Sequence, residues 1–348
     1  MKLGIFLPNW IGDAVMATPA LRTLRREFAD AEIIGIARPN VADTLRGVHF
    51  VDRFMQYDPR GKDARQRGAR FVYRLRSERL DSVLLFTHSF RTGWLAYLSG
   101  ASRRVGMKRS GRGWLLTERV LPKPQTEPHP AIDEYLRLAR RMGAESVSRQ
   151  TELTVTEGEA ARLEQFWNTR PAEFREAGTI CLNPGGAFGS SKHWPVELFA
   201  ELARQIVMTT EHTVLVLCGP AERDEARAIA SQADQPRVLH LADMEPSIGL
   251  TKAAVREASV LVTTDSGPRH FAQPFGVPVV TLFGPTHKAW SETYFNMATH
   301  LQLNLGCGPC QQRVCPLKHH RCMRDIPVAW VLRAVTAHLS RSRQPMAA

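Results

Sequence analysis

Three short segments of the sequence place acidic, basic and hydroxyl side chains directly after stretches that are typical of β-strands. The first is residues 8–13 (PNWIGD), where Asp13 is suited to act as a general base on an acceptor hydroxyl. A second interpretation is open, because Asp is also a favoured helix N-cap. The segment does not match G-x-G-x-x-G, which disfavours a dinucleotide site of the dehydrogenase type.

The second segment, residues 183–195 (NPGGAFGSSKHWP), lies between a predicted strand and a predicted helix. Its small residues let backbone amides approach an anion, Ser190 and Ser191 can donate hydrogen bonds, and Lys192 supplies positive charge. This composition predicts a phosphate cradle that differs from a Walker A motif. The alternative is a glycine-rich loop with an incidental lysine.

The third segment, residues 263–270 (TTDSGPRH), also runs from a strand end into a helix. Asp265 is suited to hold sugar hydroxyls, and the amides of Ser266 and Gly267 are suited to an anion. Glu222, after another strand, is suited to accept from a ribose hydroxyl. For these acidic residues the alternatives are a helix cap or a solvated acid at a helix start. Together the segments predict a nucleotide-sugar transferase.

The elements that must position these side chains alternate between short apolar strands and amphipathic helices, which indicates βαβ units and parallel sheets. Strands are predicted at residues 2–8, 32–37, 82–87, 152–156, 179–183, 213–218, 237–241, 260–264 and 277–283. Helices are predicted at residues 14–28, 133–142, 195–208 and 328–340. A polar, acidic stretch near 157–178 separates two series. We therefore expect an α/β chain with two Rossmann-like domains, residues 1–165 and 166–348, whose parallel sheets face a cleft.

The charge of the chain is strongly uneven. It has 46 Lys+Arg against 34 Asp+Glu, a formal net charge of +12, and residues 1–150 alone hold 27 basic and 15 acidic residues. Such an excess favours a polyanionic partner. For single arginines a solvated helix face is the alternative. The basic residues assigned to an anionic acceptor or membrane surface are Arg60, Arg67, Arg70, Arg74, Arg103, Arg104 and Lys108.

Neither a membrane span nor a secretory signal is expected, since no apolar run reaches about 18 residues and Asn9 and Asp13 interrupt the first one. Four cysteines nevertheless lie close together, at Cys307, Cys310, Cys315 and Cys322. This density favours a closed structural zinc site and unligated thiols about equally, with disulfides less favoured in a reducing compartment.

Residues 7–28 (LPNWIGDAVMATPALRTLRREF), residues 183–195 and residues 263–286 (TTDSGPRHFAQPFGVPVVTLFGPT) together resemble the ADP-heptose:lipopolysaccharide heptosyltransferases of glycosyltransferase family 9. The W-x-G-D form of the first segment is more similar to the heptosyltransferase II group than to group I. The resemblance covers residues 1 to about 340. It implies a GT-B fold, with an acceptor-binding N-terminal domain and an ADP-sugar-binding C-terminal domain.

The resemblance also implies an inverting transfer of heptose from ADP-L-glycero-D-manno-heptose to the heptosyl-Kdo-lipid A inner core, with no cofactor required for catalysis. Asp13 matches the proposed base, Lys192 the lysine at the donor diphosphate, and Glu222 the acid at the ADP ribose. The other matching donor positions are Ser190, Ser191, Met244 at the adenine, Asp265 at the heptose, and Ser266 and Gly267 at the phosphates. The expected location is the cytoplasmic face of the inner membrane.

Two other functions stay open at this point. One is a heptosyltransferase of group I or another nucleotide-sugar enzyme of the same fold, because a fold does not fix a function. The more remote one is a nucleic-acid-binding protein. It is disfavoured because no DNA- or RNA-binding motif is recognised and the basic excess lies away from the cysteines.

Overall fold

The computed structural model describes residues 1–124, 126–145, 148–186 and 188–342. The chain divides into two compact units. Unit 1 comprises Met1–Thr154 and Ala289–Tyr294, and unit 2 comprises Val155–Lys288 and the chain from Phe295 onward. The first passage between units therefore precedes the predicted boundary at residue 165, because the acidic stretch opens with a helix that belongs to unit 2.

Unit 1 contains a six-stranded parallel sheet in the order β3-β2-β1-β4-β5-β6. Its strands are β1 (Lys2–Phe6), β2 (Glu32–Ala37), β3 (Arg53–Gln56), β4 (Ser82–Leu85), β5 (Arg103–Met107) and β6 (Glu118–Val120). Its helices are α1 (Ile11–Met16), α2 (Thr18–Glu27), α3 (Pro39–Thr44), α4 (Gly68–Ser77), α5 (Phe90–Leu98) and α6 (Ala131–Arg141). The central strands β1 and β4 are almost wholly buried, as expected for parallel strands covered on both faces.

Unit 2 contains a second six-stranded parallel sheet in the order β12-β11-β10-β7-β8-β9. Its strands are β7 (Thr179–Asn183), β8 (Thr213–Val216), β9 (Val238–His240), β10 (Ala258–Thr264), β11 (Val279–Phe283) and β12 (Ala298–Gln302). Its helices are α7 (Glu157–Trp167), α8 (Ala172–Glu176), α9 (Val196–Thr209), α10 (Arg223–Ala233), α11 (Ile248–Glu257), α12 (Arg321–Arg324) and α13 (Val328–Ser342). Short 3₁₀ helices, among them Ser190–Lys192 and Gly267–Phe271, lie in the loops.

The two sheets have the same topology. When the strands of unit 2 are renumbered from β7, its order is that of unit 1, with the first and fourth strands adjacent at the centre. This is the strand order of the doubly wound dinucleotide-binding fold. The predicted α/β class with two parallel Rossmann-like sheets is confirmed.

Local sequence explains where several helices begin and end. Thr156 and Glu159 form a reciprocal capping box at the start of α7, and the Ser89 side chain caps α5. Gly143 takes a left-handed conformation (φ 106°) just after α6. The predicted helix 14–28 is interrupted at Ala17, because Pro19 stands in the first turn of the new helix α2.

Two kinds of element differ from prediction. Residues 152–156 form no strand. Instead the Glu152 amide donates to Thr18 Oγ1 at 2.9 Å, and the Glu152 carboxylate pairs with Arg22 of α2. Strands β3, β5, β6 and β12 were not predicted because polar residues interrupt their short apolar runs. Within the described residues, no helix is long and apolar enough to cross a membrane.

Candidate active site

Asp13 lies at the centre of unit 1, just beyond the carboxyl end of β1. It is the third residue of α1 and the N-cap is Trp10, so the N-cap interpretation of Asp13 is wrong. The Tyr135 hydroxyl donates a hydrogen bond to Asp13 Oδ1 at 3.1 Å. The carboxylate is thus oriented by a phenol, beside the point where the strand order reverses.

Tyr135 comes from α6 and is 4% exposed. Burial raises the pKa of its hydroxyl well above the usual value, and the negative charge of Asp13 acts in the same direction. The phenol therefore stays protonated at neutral pH and remains a hydrogen-bond donor to the carboxylate.

Glu134, the residue before Tyr135, is the centre of a buried polar cluster. Its Oε1 accepts from Arg109 Nη2 at 3.2 Å and lies 2.9 Å from His129 Nε2, while its Oε2 lies 3.8 Å from His88 Nε2. Burial lowers the pKa of His88 to about 4. The charge of Glu134 opposes this shift, and the charges of Arg109 and Arg112 add to it. His88 is therefore neutral at physiological pH.

Sequence reasoning missed Tyr135 and this cluster. His88 follows β4, Arg109 follows β5 and His129 precedes α6, so no spacing in the sequence connects them. The one available signal was that residues after neighbouring parallel strands meet at the same sheet edge.

In unit 2, Lys192 and Asp265 form a buried ion pair across the two central strands. Lys192 Nζ lies 2.6 Å from Asp265 Oδ2 and 2.9 Å from the Asp265 carbonyl oxygen, and Thr286 Oγ1 donates to the same Oδ2 at 2.6 Å. Burial acts to raise the pKa of Asp265, but the charges of Lys192 and Arg269 and these hydrogen bonds outweigh it and hold the pKa at about 2. The carboxylate is therefore ionised throughout the physiological range.

Asn183, at the end of β7, ties the two central strands of unit 2 together. Its Nδ2 donates to Ser266 Oγ at 2.9 Å and to Thr263 Oγ1 at 3.0 Å. Ser266 is the residue before the 3₁₀ helix Gly267–Phe271, so this contact fixes the start of that turn. Asn183 belongs to the second segment, whose composition predicts no role for it; in the structure it positions Ser266.

Ser191 is engaged with the chain itself. Its hydroxyl donates to the Gln312 carbonyl oxygen at 2.7 Å and its amide to the Arg313 carbonyl oxygen at 3.2 Å. A Cβ at Gly189 would collide with that same Arg313 oxygen, so the approach requires glycine here. Ser190 is exposed, Lys192 lies 4.4 Å from the ring centre of Phe188, and Ala187 lies outside the described residues.

Glu222 is brought to the loops that follow β7 and β8. It is half-buried and stands just before α10. Its side chain packs closely against two glycines: a Cβ at Gly185 would lie 2.7 Å from its Cγ, and a Cβ at Gly219 would lie 2.6 Å from its Oε2. Met244 is half-buried between β9 and α11, and its carbonyl accepts from Arg223 Nη2 at 3.0 Å. The predicted donor-side residues thus all lie in loops at the carboxyl ends of the unit 2 strands.

The predicted basic residues fall into two groups. Arg60, Arg67, Arg70 and Lys108 are exposed. The other three bind within unit 1: Arg74 Nη1 donates to the Arg65 carbonyl at 3.0 Å, Arg103 Nε to Glu118 Oε1 at 2.6 Å, and Arg104 Nε to the Leu115 carbonyl at 2.8 Å. Arg103 is the clearest departure from the expected surface role, because its guanidinium also donates to the carbonyls of Arg141 and Met142.

The four clustered cysteines are free thiols, with Cys307 Sγ 3.9 Å from His319 Nε2. Among the residues that the structure describes, no group of three or more His, Cys, Asp or Glu is arranged to hold a metal ion. A structural zinc site stays a prediction.

The segment 307–322 nevertheless contacts two of the loops at the carboxyl ends of the unit 2 strands. The carbonyls of Gln312 and Arg313 accept hydrogen bonds from Ser191, and the Gln311 amide donates to the Pro285 carbonyl at 2.8 Å. Gly284 packs so closely against Met323 and Cys322 that a Cβ there would lie 3.2 Å from Cys322 Sγ. The cysteine segment therefore packs against two loops near Lys192 and Asp265, the one that contains Ser191 and the one that contains Gly284 and Pro285.

Comparison with known proteins identifies the family. The sequence profile of glycosyltransferase family 9 (heptosyltransferase) matches residues 69–321. The chain belongs to glycosyltransferase family 9. It is thus a glycosyltransferase, and both the resemblance and the enzyme class inferred from the three segments are confirmed.

Named relatives cover nearly the whole chain. Lipooligosaccharide heptosyltransferase 2 of Campylobacter jejuni is 26% identical over 336 residues, 94% of each protein. Lipopolysaccharide heptosyltransferase 2 of Escherichia coli is 27% identical over 355 residues, 97% of this chain and 99% of that one. The structure of the E. coli ADP-heptose LPS heptosyltransferase II superposes with a TM-score of 0.81 at 22% identity over 99% of this chain and 100% of that one, which confirms the GT-B fold.

The cysteine segment yields a prediction about metal content. If it holds structural zinc, purified protein should contain about one equivalent, and Cys310→Ser should lose it, since structural zinc needs its full ligand set. Elemental analysis measures this, with Cys218→Ser, two residues after β8, as the control that keeps its metal. Less than about 0.2 equivalent in the wild type would reject the site.

Proposed function

We propose that this glycosyltransferase moves heptose from ADP-L-glycero-D-manno-heptose to the heptosyl-Kdo-lipid A inner core in lipopolysaccharide core biosynthesis. The observation that carries this proposal is the match over 94% and 97% of the chain to two proteins named heptosyltransferase 2. The W-x-G-D form of residues 10–13 supports the same assignment.

Asp13 is the general base in this proposal. It takes the proton from the acceptor hydroxyl as that oxygen attacks the anomeric carbon from the face opposite ADP, which inverts the configuration. Tyr135 acts through Asp13 as a positioning residue, because its hydroxyl fixes one carboxylate oxygen at 3.1 Å. The polar cluster around Glu134 then holds α6, and with it Tyr135, at the sheet edge.

Lys192 serves the donor. Its ammonium is paired with Asp265, and we infer that the donor diphosphate competes for it when ADP-heptose binds. Lys192 and the amides of Ser266 and Gly267 then stabilise the charge that develops on the leaving diphosphate. Asp265, released from its ion pair, becomes an acceptor for heptose hydroxyls, while Glu222 and Met244 contact the ribose and the adenine.

The charge of unit 1 fits this acceptor. Kdo carboxylates and lipid A phosphates are anionic, and each basic residue near an anionic membrane surface contributes about 1 kcal/mol. The exposed residues Arg60, Arg67, Arg70 and Lys108 carry this role in the proposal. The enzyme would then work as a peripheral protein on the cytoplasmic face of the inner membrane.

The acceptor decides between the two heptosyltransferase groups. With ADP-heptose as donor, transfer to heptosyl-Kdo-lipid A is expected at least tenfold faster than transfer to Kdo-lipid A, because the first heptose supplies the attacking hydroxyl. Product mass spectrometry with both acceptors measures this. Preference for the acceptor without heptose would assign the chain to group I, and transfer only from UDP-sugars would overturn the heptose proposal.

Asp13 and Lys192 should have opposite kinetic signatures. Asp13→Ala is expected to lower transfer by about 10³-fold while ADP-heptose binding stays nearly intact, since the base acts only on the acceptor. Lys192→Ala is expected to weaken ADP-heptose binding by about tenfold or more, because it removes a charge-assisted contact. Calorimetric titration and initial rates measure the two effects. Normal turnover by Asp13→Ala would exclude it as the base.

Tyr135 offers a matched pair of substitutions. Tyr135→Phe removes only the hydroxyl that orients Asp13, so kcat is expected to fall about five- to tenfold with the KM for ADP-heptose unchanged. Tyr294→Phe is the control, because its hydroxyl also binds an aspartate, Asp133 Oδ2 at 2.8 Å, at a more exposed position. Equal kcat values for the two variants would show that the Tyr135 bond does not position the base.

A further inference from the structure

Unit 1 exposes a cluster of four aromatic side chains that neither the sequence motifs nor the proposed chemistry uses. Phe90, Trp94, Tyr97 and Trp114 are between 40% and 61% exposed, and we call them the aromatic cluster. Trp94 and Tyr97 stack with ring centres 5.6 Å apart. Trp114 lies 6.3–6.4 Å from each of the other three ring centres. The four rings therefore form one continuous surface.

The fold holds this surface rigidly. Phe90, Trp94 and Tyr97 follow the i, i+4, i+7 spacing of one helix face on α5. Trp114 comes from a separate 3₁₀ turn, Arg112–Leu115, that packs against α5. Such a built arrangement of large apolar rings at the surface is a feature of interaction sites.

Arg112 is the clamp between the two elements. It is fully buried, and its Nη1 donates to the Ser89 carbonyl at 3.2 Å while its Nε donates to the Met107 carbonyl at 3.1 Å. Gly93 leaves room for it, since a Cβ there would lie 3.0 Å from Arg112 Cβ and Cδ. Arg112 therefore fixes Trp114 beside the rings of α5 and adds no charge to the surface.

The surroundings of the aromatic cluster are basic. Residues 82–117 contain six Arg or Lys and no Asp or Glu; of these, Arg103 and Arg109 pair with Glu118 and Glu134, and Arg112 is buried. Arg104 lies over the Tyr97 ring at 5.6 Å, and the exposed Lys108 packs its stem against Gly113, next to Trp114. Amphipathic rings beside positive charge match the headgroup region of an anionic bilayer, where Trp and Tyr are enriched and Lys and Arg meet lipid phosphates.

The size of the aromatic cluster argues against a second copy of the chain as its occupant. An aromatic side chain buries 150–250 Å², so four that are about half exposed offer roughly 400 Å². A stable protein–protein interface needs about 800 Å² per partner. A lipid surface has no such minimum, because the rings enter it individually and the basic residues add their own attraction.

We propose that the aromatic cluster is a membrane-inserting surface, whose rings enter the headgroup region of an anionic bilayer while the exposed Lys108 lies against lipid phosphates. This inference deepens the proposed function, on which it rests for the choice of a membrane, and it replaces a purely charge-driven attachment by a specified face of unit 1.

The test uses full-length protein and vesicles of phosphatidylcholine with phosphatidylglycerol, without acceptor or ADP-heptose. Trp94→Ser with Trp114→Ser is expected to weaken vesicle binding by at least tenfold in co-sedimentation. Trp94→Phe with Trp114→Phe should keep most of the binding, since the rings remain apolar. Brominated lipids should quench wild-type tryptophan fluorescence but not that of the Phe double variant, because the reporting tryptophans are gone. Trp330→Ser is the matched control, an equally exposed tryptophan on α13 of unit 2, and it should behave as wild type.

Three results would overturn the proposal: wild-type vesicle binding by the Ser double variant, quenching that persists in the Phe double variant, or a wild-type dimer that becomes monomeric in the Ser double variant during light scattering. Thermal unfolding at the wild-type temperature shows that the Ser variant is folded. The proposed function is tested separately with a deacylated, water-soluble acceptor. If the wild type transfers no heptose to it, the proposed function fails. The Ser double variant should transfer heptose to this acceptor at the wild-type rate.

Discussion

The reversal of strand order at the centre of each parallel sheet is the constraint on which the candidate site depends. Where the first and fourth strands lie side by side, the chain leaves them toward opposite faces, and their following loops part. Each unit places an aspartate at this position and holds it with a partner from elsewhere in the chain. Asp13 accepts from Tyr135, and Asp265 is held by Lys192 and Thr286. The two carboxylates are charged groups in partly buried surroundings, so these partners are what make their placement tolerable.

The sequence predicts the skeleton of this arrangement well, for a physical reason. Central parallel strands are continuous apolar runs, and β2 and β7 were predicted to the residue because nothing polar interrupts them. The loops that carry Lys192 and Asp265 lie directly after β7 and β10, as predicted, while their role in donor binding stays a prediction. Strand β5 was missed because Arg103 and Arg104 disguise it. Tyr135, Glu134 and His88 were missed because their roles arise only when separate strand ends meet.

The arginines show most clearly what composition does not predict, namely which basic side chains face solvent. The excess of basic residues in the first half of the chain was correctly located, but net charge does not distinguish a guanidinium that faces solvent from one that organises the backbone. Arg103, Arg104 and Arg112 all donate to carbonyl groups of their own unit. The planar, multi-donor guanidinium is suited to this work, and lysine would not replace it. What remains at the surface is a smaller charge, next to aromatic rings that a charge count does not see.

The short segment Ala289–Tyr294 makes the completion of unit 1 depend on the order in which the chain is synthesised. It returns to unit 1 only after β11, and there Trp290 packs edge-on against His129 at 4.9 Å while Tyr294 binds Asp133. His129 in turn contacts Glu134, in the cluster beside Asp13. During synthesis on the ribosome, most of unit 2 must therefore emerge before the surroundings of Asp13 are complete. A protein made in this order completes the surroundings of Asp13 only after β7–β11 of unit 2 have been synthesised.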